Sequence, residues 1–597
     1  FFYFVFNVSR ETSWLSILQF LSSCDKLLKE LFCKFRNVYH YFYSYGGISM
    51  NFKLEIATLL EKVTGVTQQE IINAIKIPPQ KEMGDFAYPC FRLAKQFKKA
   101  PPLIAQELCE KIERPDFIEE IKIQNAYINF FINKNVYSKE VLQEVLKQDF
   151  GTSKIGQGKT IVIDYSSPNI AKPFHVGHLR STVIGNALYH IFEALGYHCE
   201  GINHLGDWGT QFGKLIVAYQ KWGSKEAIEQ KGIQELMRIY VKFHEEAEKQ
   251  PALEDEARSW FVKMQDGEKE ALTLWKWFYD ISIKEFDRVY AMLQVHFDAY
   301  TGESFYIDKM AAVVEELKQK NLLQQSEGAM IVNLEEEKMP PCLIIRKDGG
   351  TLYATRDITA AIYRKNTYHF DKCIYLTALD QNLHFSQWFH VIKKMGYDWW
   401  KDLIHVPFGL VSLDSGKLST RHGNVVLMEE LLNQAIAETS KIIEQKNPDL
   451  PNKQEVAKQV GIGAVIFNDL YNSRIKDVVF SWERMLNFDG ETGPYVQYTH
   501  ARSCSILRKG NCSLAETIDY SKLTDDVSME VLKLLVQFPE KIQEAADKLE
   551  PFIVTRYLVN LSQAFNKFYH DNSILTSEEG TKEARIVLVI AVKTIIK

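Results

Sequence analysis

The chain has 597 residues, of which 46% are hydrophobic and 25% charged, and its formal net charge at pH 7 is −5. This length exceeds that of a single domain and predicts roughly three to five folding units, and the slight acidity means that a polyanionic partner would have to be bound by local basic patches. The nine cysteines contain no C-x-x-C pair, which argues against a zinc site or a disulfide framework and favours reduced thiols in the cytoplasm.

The residues before Met50 differ in composition from the rest of the chain. They open with six residues of which five are aromatic, and they contain acids, unlike a transit peptide. Their apolar run, like every other one in the chain, is shorter than the roughly 18 residues that cross a bilayer. We therefore expect residues 1–49 to be a non-native or disordered extension, and we expect no membrane partner.

Residues 50–150 have the pattern of a small domain of mixed α/β structure. Apolar spacing predicts helices over 52–63 and 100–112, and the alternating run 121–132 predicts a strand. The glycines between residues 151 and 158 predict a linker that ends this domain.

Residues 151–440 have the pattern of a parallel sheet that binds a nucleotide. A strand, a helix and a second strand, which form a βαβ unit, are predicted over 161–166, 177–195 and 199–204. A helix-rich, charged insertion follows at about 214–300, and strand–helix alternation then resumes from residue 342. The predicted fold class is therefore α/β, with a Rossmann-like parallel sheet in the central domain.

Residues 441–597 are almost all helical in pattern and predict an all-α bundle. The last segment, 585–597, keeps its helical spacing up to the final residue and has no capping signal. We therefore expect the bundle to be truncated at its C-terminus.

The junction between the first strand of the central domain and its helix carries the sequence HVGH, at 175–178. The N-terminus of a helix offers unpaired backbone N–H groups and a positive dipole end to phosphate. Gly177 would let a flat base approach the backbone. His175 and His178 are three positions apart, so they can share a face and donate to phosphate oxygens. This arrangement favours a nucleoside triphosphate as ligand.

Two further loops could belong to a nucleotide site. GDWGTQFG, at 206–213, places three glycines, Asp207 and two aromatic residues after a strand, which suits a ligand crevice. A tight turn with Trp208 in the core is an equally good interpretation. KLSTRHGN, at 417–424, could close over a triphosphate and stabilise the leaving pyrophosphate. Taken alone, a solvated basic turn would be favoured for this second loop.

Acidic residues in two other segments could bind a guanidinium. In LYATRD, at 352–357, Tyr353 and Asp357 share a face near the start of a helix. A carboxylate aimed into a pocket can grip a guanidinium through two parallel hydrogen bonds, and Glu303 could supply a second acid. From spacing alone, the favoured interpretation of Asp357 is stabilisation of the helix N-terminus.

Two clusters have the composition of an RNA-binding surface. YVQYTHAR, at 495–502, interleaves aromatics with an amide and an arginine, as unstacked bases require. An aromatic core stripe is at least as good an interpretation. Arg92, Lys95, Lys98 and Lys99 form a basic stripe that could meet a phosphate backbone or be a solvated face.

Taken together, these strings resemble class I aminoacyl-tRNA synthetases, and specifically the arginyl-tRNA synthetase family of bacterial type. HVGH is similar to the HIGH signature of the class, and KLSTR is similar to its KMSKS loop. The strings most specific to the arginine family are SSPNIAKPFHVGHLRST, GDWGTQFG, LYATRD and YVQYTHAR. The segment around GDFA, at 84–87, resembles the family's N-terminal domain, which binds the tRNA elbow. The resemblance covers Met50 to the C-terminus.

The resemblance implies binding sets for both small substrates. ATP would be bound by His175, Gly177, His178, Gly206, Asp207, Lys417 and Ser419. Arginine would be bound by Ser167, Pro168, Asn169, His178, Glu303, Tyr353, Asp357 and Gln381. The groups implied in catalysis are His175, His178, Lys172 and Lys417. The second lysine of KMSKS is replaced by Thr420, so that Lys172 or Arg421 would have to supply the missing cation.

The resemblance also implies partners. tRNA(Arg) would be contacted by Phe86, Lys95, Lys98, Tyr495, Gln497, Tyr498, Arg502 and Phe568. Mg²⁺ would arrive with ATP, and no metal, zinc included, would be bound by protein side chains. A monomer is expected because no self-complementary stripe is apparent.

The activity implied is ATP-dependent ligation of L-arginine to tRNA(Arg) through an arginyl-adenylate, which releases AMP and pyrophosphate. In this family the first step usually needs bound tRNA. One alternative is another adenylyl-transferring enzyme of the same nucleotide fold. The other is a non-catalytic relative that binds tRNA.

Overall fold

The computed structural model describes residues 52–78, 80–347, 350, 353–413, 416–417 and 426–597. The predicted fold class is confirmed, because a parallel sheet flanked by helices is combined with a small α/β unit and a helical C-terminal bundle. The expected extension, 1–49, lies outside the described residues. Within the described residues, no helix is long and apolar enough to cross a membrane.

The N-terminal unit consists of helices packed on a three-stranded antiparallel sheet. Its helices are α1 Phe52–Thr64, α2 Gln68–Ala74, α3 Ala94–Phe97, α4 Pro101–Lys111 and α5 Lys134–Val145. Its strands are β1 Phe86–Pro89, β2 Ile118–Gln124 and β3 Tyr127–Ile132, in the order β1-β3-β2. The single strand predicted over 121–132 is therefore wrong. Asn125 adopts a left-handed conformation, with φ 55°, and turns the chain into a hairpin.

The central domain is built on a five-stranded sheet whose strands are all parallel. The strands are β4 Thr160–Asp164, β5 His198–Asn203, β6 Ala299–Tyr300, β10 Lys372–Ala378 and β11 Leu403–Phe408, in the order β11-β10-β4-β5-β6. The crossover helices are α6 Leu179–Ala194, α13 Tyr353–Tyr368 and α14 Asn382–Lys394. All carboxyl ends meet at one edge, where open α/β sheets bind ligands.

Two insertions interrupt this sheet. The first is helical, as predicted, with α7 Thr210–Trp222, α8 Lys225–Lys231, α9 Ile233–Lys249, α10 Ala252–Gln265 and α11 Lys269–Leu293. After α12 Met310–Gln319 comes an antiparallel sheet of β7 Leu323–Ser326, β8 Ala329–Val332 and β9 Cys342–Ile345. The segment from 342 that was expected to resume the parallel alternation therefore belongs to a separate small sheet.

The elements described from residue 411 onward are helices and one small sheet. The helices are α15 Met428–Lys446, α16 Lys453–Leu470, α17 Trp482–Met485, α18 Gly493–Gly510, α19 Asp526–Leu535, α20 Phe538–Lys548, α21 Phe552–Asp571 and α22 Thr581–Ile596. The small sheet contains β12 Val411–Leu413, β13 Gly416–Lys417 and β14 Val478–Phe480, in the order β13-β12-β14. The helical pattern did not predict β14, which pairs in parallel with β12.

The N-terminal unit and the C-terminal bundle share one hydrophobic core. Ile128 and Val141 from the unit cluster with Leu532 and Phe565 from the bundle, and all four are fully buried. At the surface of this junction, Lys533 pairs with Asp85 of the GDFA segment at 2.5 Å. This ion pair therefore links the N-terminal unit to α19 of the C-terminal bundle.

Candidate functional site

The loops that leave the carboxyl ends of the parallel strands carry most of the predicted site residues. Ser167, Pro168 and Asn169 follow β4, Asp207 follows β5, Glu303 follows β6, and Gln381 follows β10. Asp357, in the second turn of α13, is close enough to raise the pKa of Glu303. Loops that follow four strands therefore lie, together with the start of one helix, at one edge of the sheet.

The two histidines flank a single turn of 3₁₀ helix, Val176–His178, that leads into α6. The Gly177 N–H donates to His175 Nδ1 at 3.0 Å, and the His175 N–H donates to His178 Nδ1 at 3.2 Å. The Val176 N–H donates to the Val426 carbonyl at 3.1 Å. The expectation that free backbone N–H groups at this helix start bind phosphate is therefore wrong, because these groups are already paired.

Both imidazole rings are held in the neutral form. Burial lowers the pKa of His178 to about 3, and the Phe174 ring stacks on it with 5.1 Å between ring centroids. Burial and the nearby Lys172 charge lower the pKa of His175. Because Nδ1 of each ring accepts a hydrogen bond, the proton of the neutral ring lies on Nε2. Each ring can thus donate one hydrogen bond to a phosphate oxygen without being charged.

The segment between β4 and the histidine turn has a strained backbone. Ser166, Ser167 and Ala171 have positive φ angles of 68°, 46° and 60°. The surroundings hold Ser166 in place, since its hydroxyl lies 2.8 Å from Tyr290 Oη and 2.8 Å from Thr182 Oγ1. Strain of this kind costs about 1–3 kcal/mol per residue and concentrates at functional sites.

A buried ion pair lies at the end of β4. Arg364 on α13 contacts Asp164 at the end of β4 at 2.8 Å. The Ser167 hydroxyl donates to Asp164 Oδ1 at 2.8 Å and accepts from the His204 N–H at 3.2 Å. These contacts fix the β4 loop against α13, so that Ser167 has a structural partner already.

Glu303 is paired with Arg356, the residue before Asp357. Both side chains are 13% exposed, and Arg356 Nη1 meets Glu303 Oε2. The Arg356 guanidinium also lies over the Tyr353 ring, 5.3 Å from its centroid. Burial raises the pKa of Glu303 to about 7, against the lowering effect of Arg356. Sequence reasoning missed Arg356, although it lies inside the LYATRD string.

Asp357 is paired with His384, a residue that sequence reasoning missed. His384 Nε2 lies 2.5 Å from Asp357 Oδ2, and both side chains remain partly exposed. His384 belongs to α14, in the turn that follows Gln381. His384 could have been identified from the sequence, because it lies three residues after Gln381 on a helix that starts at the carboxyl edge.

Gly206 and Asp207 of the GDWG loop contact the loops that follow β4 and β6. A Cβ at Gly206 would lie 2.2 Å from Asn169 Oδ1, so a larger residue there would force the Asn169 side chain to move. The buried Asp207 carboxylate accepts from the Ser304 N–H at 2.7 Å and from the Ser304 hydroxyl at 2.6 Å. Both carboxylate oxygens of Asp207 therefore bind the loop that contains Glu303. The predicted contact of Asp207 with ATP stays a prediction.

Several predicted residues are exposed to solvent. Tyr353 is 66% exposed, and Asn169, Lys172 and Gln381 are also exposed. Lys417 lies in β13, and its side chain is outside the described part of the structure. Ser419, Thr420 and Arg421 lie outside the described residues.

Helix α18 presents the predicted RNA-binding face. Tyr498 is 50% exposed, and the Arg502 guanidinium lies over its ring at 4.7 Å and over the Tyr569 ring at 5.0 Å. Phe568, by contrast, is fully buried between helices. The prediction that Phe568 contacts tRNA is therefore wrong, because the outward residue of that turn of α21 is Tyr569.

The remaining α18 and N-terminal candidates differ in exposure. Tyr495 and Gln497 are half-buried, and Gln497 Nε2 donates to the Gln459 carbonyl at 3.2 Å. Lys95 and Lys98 are exposed, as the basic stripe predicts, whereas Phe86 is half-buried against the core. In the described ranges, no group of three or more His, Cys, Asp or Glu side chains has the geometry to hold a metal ion.

Three family models match successive parts of the chain. Residues 50–132 match the arginyl tRNA synthetase N terminal domain, residues 141–482 match the catalytic domain of tRNA synthetases class I (R), and residues 496–597 match the DALR anticodon binding domain.

Curated relatives and solved structures agree with these matches. The chain is 58% identical over 549 residues to an arginine–tRNA ligase of Alkaliphilus metalliredigens, covering 92% of this chain and 97% of the relative. It is 56% identical over 546 residues to one of Clostridioides difficile, covering 91% and 96%. The arginyl-tRNA synthetase structures from Thermus thermophilus and Plasmodium falciparum share its fold, with TM-scores of 0.76 and 0.74 at 24% identity. The first covers 91% of this chain and 97% of its own, and the second 91% and 96%.

Proposed function

The chain belongs to the arginyl-tRNA synthetase family of class I tRNA synthetases and forms arginyl-tRNA from arginine, ATP and tRNA, and we propose that this reaction takes place in the crevice at the carboxyl edge of its parallel sheet. The observation that carries the proposal is that the neutral histidine turn and the acids Glu303 and Asp357 lie at the same carboxyl edge of the sheet. Neither alternative explains this combination with a helical bundle.

In the proposed first step, the arginine carboxylate attacks the α-phosphate of ATP in line and pyrophosphate leaves. The carboxylate is already ionised at neutral pH, so no general base is needed. Catalysis then consists of positioning and of stabilising the leaving charge. His175 and His178 each donate an Nε2–H to phosphate oxygens, and Lys172 and Lys417 supply positive charge. In the second step, the 2′-hydroxyl of the terminal adenosine of the tRNA takes the arginyl group and AMP leaves.

The proposed arginine pocket uses Asp357 for the guanidinium and Glu303 for added negative charge. Ser167, Pro168, Asn169, Tyr353 and Gln381 line the rest of this set. A lysine ammonium cannot match the planar fork of a guanidinium, so carboxylate oxygens would be left unpaired with lysine. Discrimination against lysine therefore depends on the two acids.

We place tRNA along α18 and the basic stripe of the N-terminal unit. Tyr495, Gln497, Tyr498 and Arg502 would contact the anticodon, and Lys95 and Lys98 the elbow. The proposed domains are 50–150, 151–440 and 441–597, with 1–49 as an extension. Unpaired cysteines in the described chain favour a cytoplasmic location, and a monomer remains our proposal.

Mg²⁺ fits this site through ATP, because the histidine turn offers neutral donors and Lys172 but no carboxylate cluster. When bound with ATP, Mg²⁺ neutralises charge on the phosphates. Residues of the protein would contact the phosphate oxygens that Mg²⁺ does not contact.

The proposed reaction is tested by charging total tRNA with each labelled amino acid in the presence of ATP. We expect label to enter tRNA with arginine alone, and to be lost when ATP is omitted. Charging with a different amino acid, or adenylate formation on a small acid without any transfer to tRNA, would contradict the proposal.

The pH dependence of arginine binding should follow Glu303. Its folded pKa, about 7, is raised by burial, so the carboxyl gains a proton as pH falls through 7 and loses its attraction for a guanidinium. We expect the KM for arginine to rise as pH falls, by up to about tenfold per unit below pH 7. Glu303→Gln should have a raised KM that no longer changes over pH 6–8. A wild-type KM that is constant over this range would contradict the role of Glu303.

Replacing Tyr498 by alanine should weaken tRNA binding. Stacking of a base on an aromatic ring contributes about 1–3 kcal/mol, which predicts a KM for tRNA raised roughly tenfold to a hundredfold. The KM values for arginine and ATP should not change, since α18 lies outside the crevice. Phe568→Leu serves as the matched control, because a buried residue should leave the KM for tRNA unaltered.

A further inference from the structure

One buried ion pair joins the histidine turn to the helical bundle. Arg180 lies two residues after His178 on α6, and Asp469 lies near the end of α16. Both side chains are fully buried, and Nε and Oδ1 are 3.0 Å apart. Burying two charges usually costs as much as their attraction returns, so stability alone is a poor explanation for a pair in this place.

The same guanidinium holds the segment that leads to Lys417. Arg180 Nη1 donates to the Gly409 carbonyl at 3.1 Å and to the Lys476 carbonyl at 2.6 Å. Gly409 lies between β11 and β12, and Lys417 follows in β13. Arg180 thus connects the helix of one catalytic signature to the strand that precedes the other.

The segment around Lys476 is packed tightly against this strand. The Gly409 N–H donates to the Arg474 carbonyl at 2.8 Å, and the Leu410 N–H donates to Asp477 Oδ1 at 2.7 Å. A Cβ at Gly409 would lie 2.7 Å from the carbonyl carbon of Lys476. The two segments are therefore packed together, and the hydrogen bonds of Arg180 connect them to α6.

On its other side, α16 contacts the helix that we place against tRNA. Gln497 of α18 donates to the Gln459 carbonyl of α16 at 3.2 Å. A Cβ at Gly493 would lie 2.9 Å from the Phe467 side chain. A continuous set of contacts therefore runs from α18 through α16 and Asp469 to Arg180.

We propose that Arg180 and Asp469 are positioning residues, which hold the strand before Lys417 in register with the histidine turn and make that register depend on the helical bundle. The inference rests on the proposed function, since it assumes that the histidine turn and Lys417 act on the same ATP. It predicts an effect on turnover and not on substrate binding.

The first test is Asp469→Asn, which keeps the shape of the side chain and removes its charge. We expect kcat for arginine charging to fall roughly tenfold to a hundredfold, because a displacement of about 1 Å in a reactive site has effects of that size. The KM values for arginine, ATP and tRNA should stay within about twofold of wild type, as when an interaction matters only for the transition state. A kcat within twofold of wild type would overturn the proposal.

The second test separates positioning from stability. In Arg180→Met/Asp469→Leu, apolar side chains replace the pair, which often leaves a protein as stable as before. We expect a folded protein that melts somewhat below wild type, because the Gly409 and Lys476 carbonyls lose their donor, and we expect the same loss of kcat because the contacts that hold this segment are gone. Restored kcat in a folded double variant would overturn the proposal.

Lys533→Met is the matched control, since it breaks an interdomain ion pair that does not touch the catalytic domain, and its kcat should equal that of wild type. Wild-type protein assayed in parallel tests the proposed function separately. If it charges arginine normally while the double variant does too, the positioning role alone fails.

Discussion

Replacing Asp357 by alanine is expected to raise the KM for arginine about a hundredfold and to leave ATP binding unchanged. The carboxylate is partly buried beside His384, Glu303 and Arg356, where a guanidinium would be largely desolvated. Removing one partner from such a pair costs about 3 kcal/mol, which is a factor of roughly a hundred in affinity. Calorimetry with arginine and with ATP, one ligand at a time, measures the two effects separately.

Asp380→Ala is the matched control for this variant. Asp380 is also a carboxylate at the carboxyl edge of the sheet, but it is exposed and lies outside the proposed binding set. Its loss should change arginine binding little. Equal losses of arginine and ATP affinity in Asp357→Ala would show a general disruption of the crevice, and the proposed guanidinium contact would then be wrong.

The second large effect is expected for His178→Ala, which should slow arginine-dependent exchange of pyrophosphate into ATP about a hundredfold. Removing one hydrogen-bond donor to a developing oxyanion typically costs about 2.7–4 kcal/mol. Arginine affinity should change only modestly. Because the pKa of His178 is about 3, its loss should also leave the pH dependence of the residual rate unaltered near pH 6.5. Exchange is measured in the presence of tRNA.

His190→Ala, on the exposed side of the same helix, is the control for His178→Ala and should exchange at the wild-type rate. A melting temperature is needed as well, since His178 Nδ1 accepts the His175 N–H and the turn could loosen. A folded His178→Ala variant that exchanges pyrophosphate normally would remove His178 from the proposed mechanism.

Local sequence patterns predicted the helices and strands whose formation depends mainly on neighbouring residues. The βαβ unit was predicted within a few residues, because apolar spacing distinguishes β4 and α6 from their loops. The hairpin at Asn125 was missed, since apolar alternation continues on both sides of the turn and an Asn-Ala pair is a weak turn signal. Strand β14 was missed because it is short and is defined by its pairing with the distant β12.

The site residues likewise fall into those that local sequence patterns predict and those that depend on distant parts of the chain. The HVGH and GDWG motifs identified residues that lie at the carboxyl edge, because these motifs follow the parallel strands β4 and β5. Sequence patterns did not identify the partners that the site residues have in the folded chain, such as Arg356 for Glu303 or Ser304 for Asp207. Such pairs depend on loops from different strands coming together. The prediction that Phe568 contacts tRNA was wrong for a related reason, since tertiary packing determines which face of α21 is buried.

The most direct test of the shared crevice is a crystal structure of the enzyme with a non-hydrolysable arginyl-adenylate analogue. We expect the guanidinium to contact the Asp357 carboxylate and the phosphate mimic to accept a hydrogen bond from His178 Nε2. A guanidinium bound away from Asp357, or an adenylate group remote from the histidine turn, would contradict it.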